Sequence, residues 1–144
     1  MAIEIRAPET EKEFEDYYFL RWKILRKAWD QPKGSETDDL EETAFHFIAL
    51  KNEKIIGCCR VQMNSETEAQ LRYMAVDEGM QGKGIGKLLL KEAEKVAGKA
   101  GAKTMILESR EKAVDFYQRN GYSVDKESYI LFDEIQHYTM SKSL

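Results

Sequence analysis

Gln81-Gly82-Lys83-Gly84-Ile85-Gly86-Lys87 sets three glycines on alternate positions between an apolar run, Leu71 to Val76, and the helical pattern entered at Leu88. Glycine has no Cβ to hold a ligand away, so this turn offers bare backbone N–H groups at the positive end of a helix dipole. Such a site takes an anion. A P-loop would need a first glycine where Gln81 stands and a Ser or Thr after Gly86-Lys87, where Leu88 stands, so a Mg²⁺-nucleotide triphosphatase is excluded. A dinucleotide fingerprint fails too, because its third glycine falls on Lys87 or Leu89, depending on where the count begins.

A second group of residues lies downstream, from Leu107-Glu108-Ser109-Arg110 to Ala113-Val114-Asp115-Phe116-Tyr117-Gln118-Arg119-Asn120-Gly121-Tyr122. It reads as a strand end, a short helix and a glycine stop, with Gly121 in a left-handed helix-ending position. The glycine turn resembles the Gln/Arg-x-x-Gly-x-Gly/Ala pattern of the GNAT superfamily of N-acetyltransferases. The downstream stretch resembles that family's Ala-x-x-x-Tyr and Gly-Phe/Tyr signature, in the same order. The resemblance implies an acetyl-CoA-dependent N-acetyltransferase whose acceptor is a primary amine of a small molecule or a protein. An acyl-CoA-binding regulatory module without catalysis is the alternative.

If the family mechanism applies, the turn from Gln81, Gly82, Lys83, Gly84, Ile85 and Gly86 to Lys87 holds the cofactor's pyrophosphate. Backbone groups of Met74, Ala75 and Val76 would pair with the pantetheine arm like an added strand, and the Val76 N–H would polarise the acetyl oxygen. Tyr117 matches the acid that protonates the departing thiolate; a phenol with pKa near 10 stays protonated at neutral pH. Arg110 stands where many members carry an asparagine that bonds the cofactor arm, and two readings stand for it: a cofactor contact, or a surface ion pair.

A general base is also needed, because a lysine-like amine with pKa of about 10.4 is neutral in roughly one molecule in a few thousand at pH 7. Some members carry a glutamate at the position of Gln70, whose amide cannot take that proton. Glu108 is the candidate left, working through ordered water. Acceptor selection would fall to the segment from Arg21 to Glu42, with Arg60 and Arg72. The acidic run Glu36 to Glu42 suits a cationic amine, whereas Arg60 and Arg72 suit a carboxylate on the acceptor; a further reading makes all of them solvated charges. His137 is read either at the substrate mouth or as a structural histidine, as is His46. Two histidines with no cysteine nearby make no metal site, and the expected cosubstrate is acetyl-CoA alone.

The 144 residues suit one domain, spanning 1–144. Charged residues make up 33% and the net charge is −4, with no polybasic stretch, so nucleic acid is a poor partner. No segment has the length and apolarity of a membrane span or the layout of a leader, and the expected location is cytoplasmic. Cys58 and Cys59 are adjacent in an apolar strand, so they point to opposite faces and do not pair. Homodimers are common in the family, and no stretch here marks an interface.

Hydrophobic periodicity positions these residues. A strand at Ile3 to Arg6 precedes an amphipathic helix capped by Thr10 with Glu13 and running to Trp29. Phe45 to Leu50, Ile55 to Gln62 and Ala69 to Val76 form an antiparallel meander. The helix after the glycine turn shows Ile85, Leu88, Leu89, Ala93, Val96 and Ala97 on one face. Thr104 to Leu107 follows as a buried strand, parallel to its predecessor through a right-handed crossover. Tyr129 to Phe132 and Gln136 to Met140 finish the sheet. The fold class is α/β (α+β): a mixed, mostly antiparallel sheet with helices on both faces. The family resemblance adds that the Ala69–Val76 and Thr104–Leu107 strands splay apart to admit the cofactor.

Overall fold

The computed structural model describes residues 2–144. Seven strands form one sheet, β1 (Glu4–Arg6), β2 (Phe45–Lys51), β3 (Lys54–Met63), β4 (Glu68–Val76), β5 (Thr104–Arg110), β6 (Ser123–Leu131) and β7 (Ile135–Ser143), in the order β1-β2-β3-β4-β5-β7-β6. Every pairing is antiparallel except β4 with β5. The helices are α1 (Glu11–Leu25), α2 (Ile85–Lys99) and the short α3 (Val114–Arg119).

Two apolar layers clamp the sheet. Tyr17 and Leu20 of α1 pack on Ile48, Leu50, Cys58 and Ala75, while Ile85, Leu89, Leu90, Ala93 and Ala97 of α2 pack on Phe47, Ala49, Cys59 and Val61. Period-2 alternation makes both layers possible: β2 and β3 carry apolar residues on odd and even positions alike, as a strand covered on both faces must. Cys58 and Cys59 accordingly fall in different layers, each buried. Each large aliphatic side chain so buried contributes about 1.5–3 kcal/mol.

Three elements differ from the periodicity. Helix α1 begins as expected, with Thr10 Oγ1 accepting from Glu13 N at 3.1 Å, but it stops at Leu25 rather than Trp29. Lys27–Trp29 is a 3₁₀ turn that ends on Asp30 in the left-handed region, and Trp22 Nε1 donates to Gln31 O at 2.9 Å, pinning the returning chain. In α2 it is Leu90 that is buried, while Leu88 is 43% exposed. The residues from Ser123 to Leu131 form one long edge strand, and Phe132, expected in it, occupies the turn. Phe132 and Asp133 have φ of 54° and 58°, the left-handed centre of a turn closed by Glu134 N to Leu131 O at 3.2 Å, and three residues separate Leu131 from its partner Ile135. Among the described residues no helix is long and apolar enough to cross a membrane.

Candidate acetyl-transfer site

Strands β4 and β5 pair only from Glu68↔Thr104 to Leu71↔Leu107. Beyond that point β4 stays with β3 and β5 stays with β7, so the two part company. The gap is a cleft of about 130 Å³, bordered by Met74 and Arg72 on one side, Glu108 and Arg110 on the other, and Tyr117 and His137.

A bulge in β4 shapes this gap. Arg60 pairs with Arg72 and Cys58 with Ala75, so one residue of β3 opposes two of β4, and Tyr73 takes φ of +56°. Arg72 and Tyr73 thereby both turn toward the α1 side of the sheet, while Met74 returns to the α2 side. The bulge also sets the backbone. Asp77 N donates to Ile56 O at 2.8 Å, so Val76, opposite Gly57, belongs to the non-hydrogen-bonded kind of pair. Its N–H and C=O therefore point away from β3, into the gap; Gln81 Nε2 holds that carbonyl at 3.0 Å.

The glycine turn joins β4 to α2. Gly82 and Gly84 have φ of +77° and +84°, Gly84 being the residue that caps α2, and a Cβ on either would meet no protein atom within 4 Å. Gly86 differs: its Cβ would lie 3.2 Å from the Phe116 ring, so it lets α3 close on α2 rather than lining the turn. The first bond of the helix is Leu88 N to Gly84 O, and among the described residues the amides of Gln81 to Lys87 donate to no protein acceptor outside it. Free N–H groups and a helix dipole make this an anion cradle.

Tyr117 packs against Phe116 and Tyr122 within the α2-side layer and is 6% exposed, on the cleft wall. Burial, with a smaller push from Cys59, raises its pKa. Its hydroxyl has no hydrogen-bond partner among the described residues. Across the gap, Glu108 accepts from Thr139 Oγ1 at 2.8 and 3.0 Å and faces the α1 side, since Met105 and Leu107 face α2.

The cations expected at the acceptor site are distributed differently. Arg21 and Arg60 are fully buried and bound into the α1–β2 loop. Arg21 donates to Glu41 at 2.8 Å, Glu36 O at 3.0 Å and the Tyr17 hydroxyl. Arg60 meets Asp38 at 2.6 Å and Glu41 at 2.8 Å, and both guanidiniums stack on Tyr73. The expectation that they contact an acceptor is corrected: they hold the loop. The acidic run is likewise neither a cation trap nor solvated throughout, because Glu36, Asp38 and Glu41 are its anchors. Burial would raise the pKa of Asp38, but hydrogen bonds from Arg60 and Leu40 N and the charges of Arg60 and Arg72 take it down to about 2.

Arg72 lines the cleft, 35% exposed at its side chain and 3.3 Å from Asp38. Arg110 makes no ion pair among the described residues; it donates to Leu25 O at 3.0 Å, on the α1 side, and lines the cleft. His137 is 4% exposed, stacks on Tyr129 at 4.4 Å and shares 3.0 Å with Ile135 O. Burial lowers its pKa. His46 is structural: Nε2 donates to Glu41 O at 2.6 Å, which leaves Nδ1 to accept from the Tyr17 hydroxyl at 2.7 Å. Periodicity pointed to neither Arg26 nor Tyr129 as cleft residues. Arg26 sits one residue beyond α1, and its place became visible only with the true end of that helix.

Comparison with known proteins agrees with this geometry. Residues 5–122 match the family described as Acetyltransferase (GNAT) family. A Bacillus subtilis protein named "Uncharacterized N-acetyltransferase YjcF" is 30% identical over 134 residues, covering 93% of this chain and 95% of that protein. Among solved structures, a protein from Lactobacillus plantarum superposes with a TM-score of 0.87 at 20% identity, covering 100% of this chain and 99% of the other. A GNAT family acetyltransferase from Elizabethkingia anophelis, solved with acetyl-CoA bound, gives 0.79 at 18% identity, covering 99% and 98%. The chain belongs to the GNAT family and is an acetyltransferase.

Proposed function

We propose that the cleft transfers an acetyl group from acetyl-CoA to a primary amine of a small molecule or a protein by direct attack. The observation that carries this reading is the parting of β4 and β5 beyond Leu71 and Leu107, with the free amides of the glycine turn between β4 and α2 and Tyr117 on the cleft wall. The pyrophosphate sits on the amides from Gln81 to Lys87. The pantetheine arm lies along the free edge of β4 at Met74, Ala75 and Val76, completing the ladder that β5 abandons.

The amine nitrogen attacks the thioester carbon, and the Val76 N–H receives the oxyanion. The carbon–sulfur bond then breaks with its electron pair on sulfur, and Tyr117 gives its proton to that thiolate, regaining one from solvent. The proton shed by the amine passes through water to Glu108, which Thr139 holds in place. Free thiol followed with acetyl-CoA and a panel of amines tests the proposal. Release that depends on one class of amine is expected. Acetyl-CoA binding with no amine-dependent release would favour a regulatory acyl-CoA module instead.

A further inference from the structure

The α1 side of the cleft holds more positive charge than the reaction uses. Arg26 Nη1 and Arg110 Nη2 both donate to the same carbonyl, Leu25 O, at 3.3 and 3.0 Å, which brings two half-buried guanidiniums side by side. Neither has a carboxylate within 4.0 Å among the described residues; their remaining hydrogen bond is Arg26 Nε to Ser35 O at 3.2 Å, and Arg26 also lies against the rings of Tyr73 and Phe132.

 The two cations therefore face each other with only carbonyl oxygens between them. Burial lowers the pKa of both, and Arg26 lowers that of Arg110 further. Arg72 lines the same cleft from its β4 side, sharing Asp38 with Arg60. Glu108, the carboxylate in the cleft, is already held by Thr139. The glycine turn cannot be what this charge serves, because it opens on the α2 side of the sheet.

We propose that Arg26 and Arg110 form an anion subsite for the acceptor, and that the acceptor is an amine carrying a carboxylate or phosphonate group. This rests on the cleft being the acetyl-transfer site. A planar guanidinium pair matches the oxygens of such a group, and holding it on the α1 side leaves the amine end free to enter the gap between β4 and β5.

The test compares amines matched in length: 3-aminopropanoate, 2-aminoethylphosphonate, propylamine and 1,3-diaminopropane. Thiol release, acetyl-CoA binding by calorimetry and thermal melting with coenzyme A present are measured on the wild-type protein and on Arg26→Gln, Arg110→Gln and Arg110→Lys. One or both anionic amines are expected to turn over at least about 10-fold more efficiently than propylamine. Either Gln variant should raise the KM of the anionic amine by about 10- to 100-fold while leaving acetyl-CoA binding unchanged, and Arg110→Lys should recover part of the loss. The carboxylate and phosphonate arms show which anion is preferred. Equal or better turnover of propylamine or the diamine overturns the proposal, as does a KM unmoved in both Gln variants. So does an anionic amine that neither turns over nor raises the melting temperature of a wild-type protein that binds coenzyme A. Failure to bind acetyl-CoA at all would instead strike at the assignment of the cleft.

Discussion

Tyr117 lines the cleft wall with a hydroxyl that has no hydrogen-bond partner among the described residues and a pKa raised by burial, so it keeps its proton through neutral and mildly alkaline pH. Tyr117→Phe should lower kcat about 100-fold and leave the acetyl-CoA dissociation constant within about twofold, as steady-state thiol release and calorimetry would read. An unchanged kcat would remove Tyr117 from the mechanism. A different outcome belongs to Glu41, which accepts from two fully buried arginines. Glu41→Ala takes the carboxylate partner from Arg21 and leaves Arg60 with Asp38, and should cost about 3 kcal/mol in urea unfolding. The two residues also differ in legibility. Tyr117 could be picked out because its motif is local. Arg21 and Arg60 could not be placed, because a charge looks the same in sequence whether its partner is solvent or a loop that folds over it.

Elements were legible where one period governs them. Strands β2 to β5 follow from alternating or continuous apolar runs, and α2 from its apolar face. The end of α1 and the bulge at Tyr73 were not, because each is decided by a contact from elsewhere: Gln31 on Trp22 for the helix, and the arginine stack on Tyr73 for the strand. Gly84 and Gly57 separate binding from packing. A Cβ at Gly84 meets no protein, so Gly84→Asp should cost about 1 kcal/mol of backbone strain but weaken acetyl-CoA more than about 100-fold through bulk and repulsion, read by calorimetry. At Gly57 a Cβ would lie 2.9 Å from Ile85 and 3.1 Å from Leu89, where α2 crosses β3. Gly57→Val should therefore lower stability by about 1–3 kcal/mol in thermal or urea unfolding, and unaltered stability would contradict that close approach.

For the whole molecule, acid sensitivity should come in two stages. Burial holds the pKa of His46 below 6.5, so the unfolded chain takes up more protons there and stability is lost as pH falls below about 6.5. Glu13, held by Arg6, and Asp38, held by Arg60 against its own burial, both sit at about 2, from ordinary values of 4.5 and 3.8. Their contribution is present above those values and is lost as pH falls toward 2. Urea midpoints from pH 8 to 3 should decline in that order, and a flat profile between pH 7 and 5 would contradict the buried, neutral His46. At this scale the glycine turn was legible from its motif, while the arginine-lined end of the cleft was not, since it is assembled from the end of α1, β5 and the β6–β7 hairpin.

The central claim is that the amides of residues 81–87 hold the cofactor's diphosphate and thereby lay the thioester beside Val76. A crystal structure with coenzyme A bound tests it most directly. The diphosphate should lie on those amides, with the pantetheine arm along β4 from Met74 to Val76 and the sulfur near the Tyr117 hydroxyl. A diphosphate seated elsewhere, or an arm outside the gap between β4 and β5, would contradict it.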